Sequence, residues 1–170
     1  MPRPVPVLAT AADLQAFYQA IATVSFLLLG FWWPVGRAAP PGAPARHAYG
    51  VSMYFFLPGL MSLMASVNSE LTTLWRVAFA LTGVIGAVEV VLYLRAGARG
   101  GRGELALRAL GSVDYLLIVI VAVAPTLTMS LGLGLKPREV EAILLTIMLL
   151  IGVNIAWLGM RESGDAVQRA

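Results

Sequence analysis

Two carboxylates lie inside otherwise apolar sequence. Glu89 sits in the run Gly86-Ala-Val-Glu89-Val-Val and Asp114 in Ser112-Val-Asp114-Tyr-Leu-Leu. A third polar residue, Asn154, interrupts a comparable run. Their spacing from basic residues is matched. Glu89 lies six residues before Arg95, Asp114 six after Arg108, and Asn154 seven before Arg161. In helices that rise 1.5 Å per residue, all three would sit roughly 9–10 Å inward from one common end. The indices 89 and 114 sum to 203, as do 95 and 108. In antiparallel neighbouring helices the two carboxylates would therefore face each other. Such a pair cannot ionise twice cheaply. It would make a proton- or cation-binding site, with Asn154 as a neutral ligand. A structural reading competes with this one: Glu89 reaching Arg95 or Arg99, and Asp114 capping its own helix.

A second polar group is expected at the opposite end. Arg76 could pair with Glu70, Glu139 or Glu141, and Gln15 and Gln19 stand one turn apart on a neighbouring segment. The expected outer cluster is Arg76, Gln19 and Glu139.

Much chemistry is excluded. The chain has no Cys, so thiol catalysis, disulfides and thiolate metal sites are absent. His47 is the single histidine, which rules out a bis-His haem or a His-based zinc site within one chain. No P-loop, GxSxG, HExxH or dinucleotide fingerprint occurs. Gly100-Gly101-Arg102-Gly103 is a loop without a preceding strand. No cofactor is expected. An enzyme is the least supported class, because no nucleophile or metal set accompanies the carboxylates.

The elements that would position these residues are membrane helices. Of the 170 residues, 59% are hydrophobic and 12% charged, against roughly a quarter charged in soluble domains. Crossing hydrocarbon takes about 20 apolar residues. Five stretches qualify: 14–35, 48–67, 71–94, 109–131 and 139–160. The sequence thus predicts an all-α bundle of five transmembrane helices in one domain spanning residues 1–170. The first stretch is too long for a signal-peptide core and ends in Trp32-Trp33, so it reads as a true span. Thr10 to Asp13 reads as a capping box, and Pro34 with Gly36 as the end of the first helix. Asn68-Ser69-Glu70 reads as a cap for the third. Pro58 and Pro125 predict bends.

Basic residues set the orientation. Arg37, Arg46, Arg95, Arg99, Arg102, Arg108, Arg161 and Arg169 fall at one face, while Arg3, Lys136 and Arg138 fall at the other. The positive-inside rule puts the N-terminus outside and the C-terminus in the cytoplasm. Residues 95–108 read as a basic loop that touches anionic lipid head groups. No aromatics interleave its arginines, so no nucleic-acid partner is expected. Trp32, Trp33, Tyr49, Tyr93, Tyr115 and Trp157 read as one aromatic belt, Tyr18 and Trp75 as the other. Small-residue stripes, Gly59/Ser62/Ser66 and Ala80/Gly83/Ala87 beside Gly86, mark close helix packing, within the chain or between subunits.

These features predict a small plasma-membrane channel or transporter, multi-pass and homo-oligomeric, that moves a proton or small cation through Glu89, Asp114 and Asn154. The alternative is a non-catalytic subunit packed against another membrane protein. The expected partners are the lipid bilayer and either further copies of the chain or a partner subunit.

Overall fold

A computed structural model describes residues 10–37, 45–67, 72–95, 101–130 and 134–168. These residues form six helices and no strand: α1 (Ala11–Arg37), α2 (Ala45–Val67), α3 (Thr72–Arg95), α4 (Arg102–Val123), α5 (Pro125–Ser130) and α6 (Pro137–Gln168). Five of them, all but α5, are long and apolar enough to cross a membrane.

The helix starts follow the sequence. The Asp13 carboxylate accepts from the Thr10 backbone N–H (2.9 Å), and the Thr10 hydroxyl accepts from the Asp13 N–H (3.2 Å), closing the expected capping box. Glu139 caps α6 in the same manner by accepting from the Lys136 N–H at 2.8 Å. The ends of α1 and α4 differ from expectation. α1 runs through Pro34 to Arg37, because a proline costs its helix only one hydrogen bond when the next turn is intact. α2 runs through Pro58, within the expected span 48–67. α4 begins at Arg102, so residues 102–108 are helix and not loop, and it stops at Val123. Ala124 breaks the chain there, and α5 resumes at Pro125, where the missing N–H costs least. The expected cap at Asn68-Ser69-Glu70 lies outside the described residues.

α2, α3, α4 and α6 make a four-helix bundle, and α1 lies against α2 and α6 on its flank. α3 and α6 each adjoin α4 and α2, whereas α2 and α4 stand diagonally with no close backbone approach among the described residues. Met61, Phe79, Ile118, Leu145 and Met148, drawn from all four bundle helices, are fully buried at its middle. In a bilayer, lipid tails would be as apolar as these side chains, so packing and polar contacts would decide the association. The small-residue stripes serve that packing within the chain. A Cβ on Gly59 would lie 3.0 Å from the Ser25 Cβ of α1, and one on Gly83 would lie 3.2 Å from the Tyr115 carbonyl of α4. The outer sides of α1 and α3 carry exposed Phe31, Leu27, Leu81 and Leu92, an apolar surface suited to lipid.

Candidate functional site

Across the diagonal, side chains do what backbones do not. Glu104 is in the first turn of α4, where the helix dipole favours an anion. One turn on, Arg108 donates from Nε to Glu104 Oε1 at 2.8 Å. The same oxygen accepts from the Tyr93 hydroxyl of α3 at 3.0 Å and lies 3.0 Å from His47 Nδ1 of α2. An ionised carboxylate cannot donate, so Nδ1 carries the hydrogen and the 3.4 Å approach of Arg108 Nη2 to it is contact only. The guanidinium stacks on the Tyr93 ring at 3.7 Å. Arg108 is 1% exposed and Glu104 2%, a buried pair that joins α2, α3 and α4 through one oxygen.

Deeper in the bundle, tyrosines wedge into glycine notches. Any Cβ on Gly111 of α4 would overlap the ring of Tyr54 from α2, and any Cβ on Gly86 of α3 would overlap Tyr115 from α4. The two tyrosine rings lie 5.9 Å apart at a 42° tilt. Both are buried, yet neither hydroxyl has a hydrogen-bond partner among the described residues, and Asp114 Oδ2 beside them has none either. Buried polar atoms normally find partners.

Tyr54 and Tyr115 line an open pocket of about 560 Å³ between α2 and α3, floored by α4, while their hydroxyl oxygens are buried against the protein. Arg46 and Arg95 stand exposed at its edge, Arg108 lines its wall, and Glu89 is its one acidic residue among those described. Gly50 lets α2 approach Arg108, since a Cβ there would come within 2.9 Å of its Nη1. Tyr49 and Leu92, both half or more exposed, mark a lateral opening on the α2–α3 flank. An apolar groove of about 420 Å³ between α1 and α2 shares Tyr49 and Met53 with this pocket.

The sequence-predicted site is only partly assembled. Glu89 is half-buried and lines the pocket among arginines. Asp114 is buried near the tyrosines. Gly86 of α3 packs against the Tyr115 ring of α4, and among the described residues no hydrogen bond links Glu89 to Asp114 Oδ2. Asn154 faces outward and its amide donates to the Leu150 carbonyl of its own helix at 2.7 Å, away from both.

The expected outer cluster does not form. Arg76 donates to the carbonyls of Ala122 (2.7 Å) and Val123 (2.8 Å), two of the last acceptors of α4, which stops before Pro125. Glu139 is used as a cap. Gln19 is exposed, and its backbone carbonyl accepts from Thr23. Glu70 and Arg99 lie outside the described residues. At this end the Tyr18 hydroxyl donates to the Arg138 carbonyl (2.7 Å) and Arg138 reaches the Ala65 carbonyl (2.9 Å). Glu141 is fully buried, and neither of its carboxylate oxygens has a hydrogen-bond partner among the described residues.

Sequence reasoning passes over Glu104, His47, Tyr54 and the buried place of Arg108 and Glu141. One signal is available: Glu104 and Arg108 stand four apart, the spacing of a helical ion pair. Placing the helix start at Ala109 hides it. The belt aromatics divide. Trp33, Tyr49 and Trp157 are exposed as a belt requires, whereas Trp32, Tyr115, Tyr18 and Trp75 are buried in the protein. Trp32 donates instead to the Ala48 carbonyl at 3.0 Å and ties α1 to α2. No family model, curated protein or solved structure matches this chain.

Proposed function

We propose that this chain is a small multispanning membrane transporter whose substrate site is the pocket between α2, α3 and α4. The observation that carries the reading is a pocket at the arginine-rich end of the bundle, lined by Arg46, Arg95, Arg108, Tyr54 and Tyr115, beside which the two buried tyrosine hydroxyls have no partners among the described residues. A purely structural core would satisfy or delete those groups. Five spans with basic residues gathered at one face support a plasma-membrane placement with that end toward the cytoplasm. A homo-oligomer would bury further apolar surface on α1 and α3 and is part of the proposal.

The test is solute flux into liposomes that contain purified protein, wild type beside Tyr54→Phe/Tyr115→Phe. Phenylalanine preserves the wedges and removes only the hydroxyls. Flux that survives this change undiminished counts against the site. Absence of any flux from folded wild type would leave the partner-subunit reading and a search for a co-purifying membrane protein.

A second reading, movement of a proton or small cation past Glu89 and Asp114, is favoured by the unsatisfied Asp114 oxygen. It requires flux that Asp114→Asn abolishes and the tyrosine double variant spares.

A further inference from the structure

The pocket between α2 and α3 meets the groove between α1 and α2. Tyr49 and Met53, one turn apart on α2, line both. The two halves differ in chemistry. The pocket offers donors: Arg46 and Arg95 at its exposed edge and the Arg108 side chain at its wall. Glu104 already balances Arg108, and Glu89 leaves one of the two remaining arginines uncompensated. The groove offers almost no polar surface. Leu29, Trp32, Trp33 and Phe56 wall it, and the hydroxyl of Ser52 is spent on the Ala48 carbonyl at 2.9 Å. Each cavity falls in the size range of small-molecule sites, roughly 300–1,000 Å³.

We infer that the two cavities form one head-and-tail site for a lipid-borne anionic amphiphile. Its phosphate or carboxylate head lies among Arg46, Arg95 and Arg108, and its chain crosses Tyr49 and Met53 into the groove. The inference rests on the transport reading for the identity of the site and adds its substrate class. Donor-rich walls select an acceptor-rich head. Exposed Tyr49 and Leu92 flank the pocket on its α2–α3 side, a lateral way in for a ligand borne in the leaflet.

Native mass spectrometry of the full chain released from phosphatidylcholine nanodiscs tests this. The discs are doped with phosphatidic acid or with a cationic lipid of equal chain length. Wild type should retain one phosphatidic acid and not the cationic lipid. Arg46→Gln/Arg95→Gln alters two exposed side chains outside the packed core and should lower retention about tenfold or more, the loss of roughly one charge-assisted contact. Phe56→Ala should lower it as well, because it removes part of the tail wall. Equal retention of the cationic lipid overturns the inference, as does retention unchanged by the arginine variant. Inorganic phosphate that displaces the lipid at comparable concentration also overturns it, since the site would then read a free anion. Retention without flux leaves the head-and-tail site standing and removes the transport reading. Flux of an anion with no lipid retained does the reverse.

Discussion

Replacing Glu104 with glutamine should be among the most destabilising changes at the basic end of the bundle. The amide would keep an oxygen for the Tyr93 hydroxyl but lose the charge that compensates Arg108. The guanidinium is 1% exposed, and its remaining neighbours are the Tyr93 face, His47 and Gly50. Removing one partner of a buried ion pair costs about 3–5 kcal/mol, because the other charge stays buried and alone. Arg108→Met should cost a similar amount by stranding Glu104, offset in part by His47 and Tyr93, which still donate to it. The double variant Glu104→Gln/Arg108→Met should cost much less than the two singles together, since no uncompensated charge remains. The coupling expected for contacting residues is about 1–3 kcal/mol. Equilibrium unfolding in mixed micelles, followed by tryptophan fluorescence and helical signal, measures all four corners of the cycle. Costs that simply add would refute the argument, because they would mean that Glu104 and Arg108 stabilise the bundle independently.

Other changes follow from particular contacts. Gly86→Ala should drive a Cβ into the Tyr115 ring and cost about 1–3 kcal/mol, read as a lower melting temperature in detergent. Arg76→Met should strand the Ala122 and Val123 carbonyls and cost about 1–3 kcal/mol. In a Pro125→Ala background, where the helix can continue and use those carbonyls itself, that cost should shrink, and an unchanged cost would show that Arg76 acts elsewhere. Asn154→Ala should change stability by less than about 0.5 kcal/mol and leave flux intact, because its amide serves only its own helix.

The helices are legible in the sequence because composition and length alone set them. Glu89 and Asp114 are also legible as residues of the basic end of the bundle. Their relationship is not. Helix register and rotation depend on how Gly83 and Gly86 receive Val119 and Tyr115, which an index sum does not supply. Charge counting treats Arg108 as a surface anchor, whereas one carboxylate four residues earlier is enough to take it inside. Arg76 and Glu139 look like partners in the sequence, but free backbone groups at helix ends claim both first.

The diagonal placement of α2 and α4 has a consequence for how the protein is made. α2 needs α6: Gly152 of α6 receives Tyr54 and Phe55, and Arg138 of α6 grips the end of α2 at Ala65. α6 is the last of these helices to leave the ribosome, long after α2. Until it arrives, Tyr54 and Phe55 lack the face of α6 that receives them, and the Ala65 carbonyl lacks its Arg138 donor. A chain stalled before α6 would therefore hold α2 with one face unpacked, and the helices made earlier would complete their packing only when α6 is added.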